Sequence, residues 1–286
     1  IACGVGLFKV KRKEEKMMRP NNISTVIGCA ISETEQIPMI KKAGFDGFFT
    51  MFTGTEPIDL WAKEARKHNL EFETIHGPFQ YANRLWESDS SAEEYLAYLQ
   101  SIIDSCHQIS VDKCILHVTV GNTAPPISPE GLLRFQKLCD YAKSQNVHIC
   151  FENLEPLPHL EAVMDFVKDP FHGFCWDIGH NACYTPNLDL MKKYGSRLKC
   201  LHIHDNLGVT RPGDIDYRDD RHFLPFDGIL DWDWFVGQLS KYHYEGPITL
   251  EVSNQGLPKY QTMSLEEYLK EAYNRGVKLR DKLNQI

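Results

Sequence analysis

Six short apolar segments of the chain each finish on a side chain able to hold a metal ion. EFETIHG carries His76, KCILHVT His117, HICFENL Glu152, GFCWDIG Asp177, LKCLHIHD His202 and PITLEVS Glu251. A lone buried His or Glu is ordinarily a hydrogen-bonded core residue. Three carboxylates gathered at one place are different, because unpaired buried carboxylates are costly and a shared cation removes the cost. The chemistry on offer is that of a divalent ion polarising an oxygen of a bound substrate. Cys150, Cys175 and Cys200 each precede a candidate ligand by two residues. The strand period of two therefore places them on the same face, one layer below. A thiolate site built from these three is the weaker metal reading, since they lack short ligand spacing.

The elements that must position these residues follow from the alternation of short β-branched or aromatic runs with longer amphipathic ones. Strands are expected at 25–31, 47–52, 71–77, 113–119, 148–154, 173–179, 198–205 and 247–253. Helices fall between them, among them TEQIPMIKKAG, SAEEYLAYLQSIIDSCHQI, SPEGLLRFQKLCDYAKSQN with proline at its first position, NLDLMKKYGSR and the terminal SLEEYLKEAYNRGVKLRDKL. Eight βα units in this length give an α/β chain of the (β/α)8 TIM-barrel type, whose active sites lie where the strands end. A doubly wound sheet would need a Gly-rich turn after its first strand, and GCAISETEQ offers none. No linker or composition break divides the chain, so a single domain over 24–286 is expected, behind a short extension over 1–23. The longest connection runs from Asp205 to about Leu230, and a loop of that length is usually functional.

The chain has 286 residues with 42% hydrophobic and 24% charged, which excludes a disordered or fibrous protein. No apolar run approaches the roughly 18 residues of a membrane span, so no membrane partner is expected. Lys plus Arg number 31 against 39 Asp plus Glu, a net charge of -8, which argues against a nucleic-acid partner. Nine scattered cysteines without a CxxC point to free thiols and a cytoplasmic location. Homo-oligomerisation is left open.

The motifs ICFENL, CWDIGH, LHIHDN and ITLEVS, in this order and spacing, resemble the xylose-isomerase-like TIM-barrel superfamily of sugar isomerases and epimerases. DRHFLPFDGILDW is similar to its His-x-x-Pro signature before the last helix, with Phe226 and Asp227 where Gly-Glu or Gly-Gln is commoner. The resemblance covers residues 24–286. It implies one divalent metal, Mn²⁺, Mg²⁺, Co²⁺ or Zn²⁺, held by Glu152, Asp177, His202 and Glu251. It also implies a sugar or sugar phosphate as substrate. Glu152 and Glu251 are then the acid and base, on opposite sides of the mouth, working through a metal-stabilised enediolate. Return of the proton to the opposite face is epimerisation, and return to the neighbouring carbon is aldose–ketose isomerisation.

A second branch of the superfamily, the apurinic endonucleases, holds three zinc ions with nine residues. Counterparts of all nine types are present: the four ligands above with His76, His117, His180, Asp220 and His222. The resemblance thus implies a trinuclear-zinc phosphodiester hydrolase as the alternative. Against it, the branch's Gly-x-His-x-Ser is Gly28-Cys29-Ala30-Ile31-Ser32 here, and no basic, aromatic-interleaved loops for DNA are evident. In the isomerase reading His76, His117, His180 and His222 contact substrate. Phe52, Phe79 and Trp86 are expected to wall the pocket, Asp205 to orient His202, and Glu155, off the Glu152 face, to stand apart. His204 takes the family's variable position. A non-catalytic barrel would normally have lost a ligand, and none of the four is lost.

Overall fold

Eight parallel strands form one sheet that curls back on itself in the computed structural model, which describes residues 18–286 apart from 212 and 214. They are β1 Asn21–Ser24, β2 Gly47–Met51, β3 Glu71–His76, β4 Lys113–Leu116, β5 His148–Glu152, β6 Gly173–Asp177, β7 Leu198–His202 and β8 Ile248–Leu250. Each strand pairs with its neighbour in sequence, and β1 also pairs with β8. A parallel bridge between Ile203 and Leu250 closes the ring, with the Glu251 N–H donating to the Ile203 carbonyl at 3.0 Å. The fold is therefore the TIM barrel expected.

The outer helices are α1 Glu33–Ala43, α2 Ile58–Lys67, α3 Ser90–Ile109, α4 Pro129–Ser144, α5 His159–Phe166, α6 Ile178–Tyr184, α7 Leu190–Tyr194, α8 Trp232–Lys241, α9 Pro258–Gln261 and α10 Leu265–Asn284. Local sequence explains their starts. Ser128 accepts from the Gly131 N–H at 3.0 Å ahead of Pro129, and Ser264 with Glu267 makes a capping box for α10. No described helix is long and apolar enough to cross a membrane.

Three expectations need correction. The first strand is Asn21–Ser24, not 25–31, so residues 21–23, read as part of the extension, belong to the barrel. Asn21 and Asn22 are poor strand formers, but here both are fully buried, and Asn22 Nδ2 donates to Glu73 at 2.8 Å. Most of the extension, 1–17, lies outside the described residues. Next, β6 stops at Asp177, because the Asp177 carboxylate caps α6 by accepting from the His180 N–H at 2.6 Å. Finally, the helix expected at NLDLMKKYGSR is only α7, one short turn behind α6.

The barrel interior is layered. Glu73, Asn22 and Thr249 form a polar floor, with both neighbours donating to Glu73 Oε2 at 2.8 Å. Above lie Ile115, Cys150, Cys175 and Cys200, all essentially inaccessible, in the layer expected of the cysteines. The eight cysteines among the described residues are free thiols. Glu152, Asp177 and His202 make the next layer up.

Candidate metal centre and its cavity

Strand parity delivers Glu152, Asp177 and His202 to the inside of the barrel mouth, and Glu251 follows one residue past the end of β8. Each offers a donor atom, and the four atoms lie within 4.8 Å of one another. His202 Nδ1 sits 2.6 Å from Glu152 Oε1 and 3.4 Å from Glu251 Oε2. Its ring stacks on Phe49 with centroids 4.4 Å apart. Asn153 locks the two neighbouring strand ends, donating to the Asp177 carbonyl at 2.8 Å and accepting from the Asp177 N–H at 2.9 Å.

Electrostatics show a site that asks for positive charge. Burial opposes charge on every group, yet His202 is raised to about 9 by Glu251 and Glu152. Glu152 is held well below the usual carboxylate range, against burial, by His202, His117 and His76. Asp177 falls to about 2, again against burial, beside His180 and His204. Asp177 Oδ2 is buried with no hydrogen-bond partner. A buried carboxylate oxygen left bare beside two further carboxylates fits a cation held by this set.

Two further groups flank these four. His76 Nε2 and His117 Nε2 lie 3.2 and 2.8 Å from Glu152 Oε2. On the other side His180 Nε2 and His222 Nε2 both lie 3.3 Å from Asp220 Oδ2. His76, His180 and His222 share one orientation. Each places Nδ1 on a main-chain carbonyl, of Gly77 at 2.8 Å, Asn153 at 3.1 Å and Glu251 at 3.1 Å. A carbonyl can only accept, so Nδ1 carries the proton, and Nε2 faces a carboxylate with a lone pair unless a proton or metal intervenes. Asp220 raises His222 to about 9 despite burial, and burial brings His117 down to about 4 against the pull of Glu152.

His204 was read as a variable position, yet it is fully buried and joins the second group. Its Nε2 lies 3.1 Å from Asp177 Oδ1 and 3.5 Å from Asp220 Oδ1, and neither ring nitrogen has a hydrogen-bond partner. Gly179 makes room for it: a Cβ there would stand 2.0 Å from the His204 ring. The signal was available, since residues 200, 202 and 204 share one strand face.

A cavity of about 900 Å³ opens above the four donors. Glu152 and Glu251 line it, as do His76, His117, His180, His222 and Asp220, whereas Asp177 and His202 do not. Of the three aromatic walls expected, only Phe79 is in place, stacked on His117 at 4.6 Å. Phe52 turns outward onto Trp61, and Trp86 packs on Phe135 and donates to the Val118 carbonyl at 2.8 Å. Phe52 stands an odd number of steps from the cavity-lining Phe49 and Met51 and so takes the other face, while Trp86 lies in the segment past β3, where the period of two no longer applies. Phe49, Tyr184 and Tyr217 are the other aromatic walls.

Glu155, set apart in the sequence reading, also lines the cavity, because it sits in the loop past β5. Asp205 does not reach His202. Its carboxylate accepts from the N–H groups of Asn206, Phe226 and Leu230 at 3.0–3.2 Å and so pins both ends of the 206–230 loop. Phe226 stands there with φ +73°, the left-handed backbone that suits the glycine commoner at that position.

Comparison with known proteins agrees with this architecture. The family described as xylose isomerase-like TIM barrel matches residues 37–275. The protein y4fM of Sinorhizobium fredii is 29% identical over an alignment of 180 residues that covers 58% of this chain and 54% of that protein, so the chain spans about half the length of this curated relative. A xylose isomerase domain protein from Planctomyces limnophilus superposes with a TM-score of 0.74 at 15% identity, covering 94% of this chain and 100% of the other. D-psicose 3-epimerase from Clostridium cellulolyticum gives 0.73 at 14% identity over 92% and 99% of the two chains. The 3-keto-D-glucoside 4-epimerase of E. coli gives 0.66 at 15% identity over 91% and 99%. At these identities the likeness to the solved structures is one of fold.

Proposed function

Since the chain belongs to the xylose isomerase-like TIM-barrel family, we propose that it is a divalent-metal-dependent isomerase or epimerase of sugars or sugar phosphates. The observation that carries this reading is the division of labour among the four donors. Glu152 and Glu251 line the cavity, and Asp177 and His202 are not among its lining residues. Two donors thus serve only to hold a cation, and two can also meet a substrate. When bound, Mn²⁺, Mg²⁺, Co²⁺ or Zn²⁺ supplies Lewis acidity that acidifies a C–H beside a substrate carbonyl.

The chain's own residues then handle the proton. Among the described residues, nothing donates a hydrogen bond to the Glu251 carboxylate, so it has a free oxygen to take or return a proton. Both oxygens of Glu152 are engaged, Oε1 by His202 and Oε2 by His117 and His76. One glutamate, ionised, takes the proton from one face of the substrate and the other, protonated beforehand, gives its own proton to the opposite face, or the first glutamate returns its proton at the neighbouring carbon. The sugar epimerases named among the solved structures support this choice of chemistry. The free thiols suit a reducing cytoplasm.

The flanking groups favour a second reading, a trinuclear-zinc phosphodiester hydrolase, because His76 and His117 present Nε2 to Glu152 and His180 and His222 present Nε2 to Asp220. Metal analysis beside two assays separates them. One metal per chain with deuterium wash-in from heavy water into a sugar supports the isomerase. Three zinc ions with cleavage of abasic DNA and no sugar exchange overturns it.

A further inference from the structure

We infer that the substrate is an uncharged sugar carrying a second uncharged unit, a disaccharide or a glycoside, whose second unit lies against Tyr217. The inference rests on the isomerase reading and narrows it.

Charge is the first observation. Six carboxylates line the cavity, and among the described residues no lysine or arginine does. Glu33, Glu56 and Glu155 stand apart from the four donors and belong to no metal group. Glu56 is held below its ordinary range against partial burial, by hydrogen bonds from Thr53 and neighbouring N–H groups, so it is ionised at neutral pH. Two of the three arginines of the 206–230 loop, Arg211 and Arg218, are committed to Asp216 at 2.6 and 2.8 Å, and the third, Arg221, is not among the residues that line the cavity. A phosphoryl group on the substrate would meet carboxylates without the Arg or Lys partner such groups are recognised by.

Size is the second. A hexose has twelve heavy atoms, which even at about 30 Å³ each, the share of one water in the liquid, occupy no more than about 360 Å³. The cavity holds about 900 Å³, so a hexose over the metal donors leaves more than half of it open.

Chemistry of the walls places the remainder. The flank formed by the loops after β4, β5, β6 and β7 presents Tyr217 and Tyr184, with ring centroids 6.0 Å apart, beside Asn122 and Glu155. Tyr217 keeps 47% of its surface exposed, so its ring is presented rather than packed away. It rides on a turn fixed by buried Asp219, which accepts from the Thr210 N–H at 2.8 Å. An aromatic face for C–H surface beside a planar carboxylate and amide for hydroxyls is what a second sugar ring or an apolar aglycone needs.

The test uses calorimetry on the metal-loaded protein with matched sets of probes: hexoses, the same hexoses as 6-phosphates, and their disaccharides and phenyl glycosides. The expected result is that a two-unit probe binds about tenfold more tightly than its hexose, a gain within reach of stacking on one ring. The 6-phosphate should bind more weakly than the hexose. Tyr217→Ala should bring the ratio of two-unit to hexose affinity towards one, and Tyr217→Phe should keep it. Tightest binding by a 6-phosphate, equal binding of hexose and two-unit probes, or no binding in any set would overturn the inference. Deuterium wash-in on the same samples separates the two levels. Tight, Tyr217-dependent binding without any C–H exchange refutes the isomerase reading and leaves the ligand assignment standing.

Discussion

Glu152 meets His202 at 2.6 Å through Oε1 while its Oε2 is shared by His117 and His76, so this one carboxylate ties together three imidazoles from three strand ends. Glu251, across the mouth, approaches the same His202 nitrogen at 3.4 Å and has an oxygen to spare. The two glutamates are therefore not equivalent, and their amide variants should differ. Glu251→Gln keeps a carbonyl ligand and should retain metal, with turnover down about 10²–10⁴-fold, the usual contribution of a general acid or base. Glu152→Gln also removes the charge that holds His202, His117 and His76, so metal content should fall along with turnover. Metal analysis with deuterium wash-in reads both. Near-normal turnover by metal-loaded Glu251→Gln would leave that residue as a ligand alone.

Metal uptake should expel a proton. His202, with Glu251 and Glu152 as neighbours, has its pKa raised to about 9 from an ordinary 6.5. The metal-free protein therefore carries a proton on His202 at neutral pH. The pairing of this imidazolium stabilises the apo fold fully below pH 6.5 and is lost as pH rises through about 9. A metal needs the nitrogen unprotonated, so affinity should climb between those values and level off above. Calorimetry in buffers of different ionisation enthalpy should find about one proton released per metal near neutral pH and fewer above pH 9. Release that does not change with pH would place the binding on other donors.

How much of this was legible in the sequence depended on whether a strand fixed the residue. Glu152, Asp177 and His202 end strands whose alternation is unambiguous, with a cysteine two residues below each. The first strand was misplaced because Asn21 and Asn22 gain their burial only from partners far along the chain, Asp46 for the Asn21 N–H and Glu73 for Asn22 Nδ2. Phe52 failed as a pocket wall because it keeps the strand period and falls on the face opposite Phe49 and Met51, whereas Trp86 failed and Glu155 succeeded unexpectedly because both sit in loops where chain direction is set by tertiary contacts. His204 was within reach by strand parity and was hidden by treating its position as variable.

Asp205 should govern the loop over the cavity rather than the metal. It is fully buried, and its partners are the N–H groups of Asn206, Phe226 and Leu230. Asp205→Ala leaves buried donors unsatisfied, each costing about 1–3 kcal/mol. It also frees Phe226 from a backbone conformation with φ +73°. The variant should bind metal normally, lose a few kcal/mol of stability in urea titration, and show faster amide exchange confined to 206–230. A loss of metal affinity with unchanged loop exchange would restore the expected role of Asp205 beside His202.

Glu73 is the test of the barrel floor. Burial raises its carboxyl above the ordinary value of 4.5, although Asn22 and Thr249 donate to Oε2 and Lys113 pulls the other way. Its Oε1 has no partner, and Asn22 Oδ1 is likewise bare. Below pH 4.5 the carboxyl is protonated both folded and unfolded and contributes no pH dependence. As pH rises past 4.5 the unfolded chain ionises first, so the folded state loses stability until pH passes the raised folded value. Glu73→Gln keeps the acceptor for Asn22 and Thr249 and replaces the bare oxygen with an amide that can donate, without ionising. It should therefore gain stability at neutral pH by about 1–3 kcal/mol, the cost of a buried unsatisfied polar group. Near pH 4 the gain should shrink. Urea titrations of both proteins across this range decide the matter: curves that run parallel with pH would mean that Glu73 does not carry the slope, and that its charge is neutralised in the fold by Lys113.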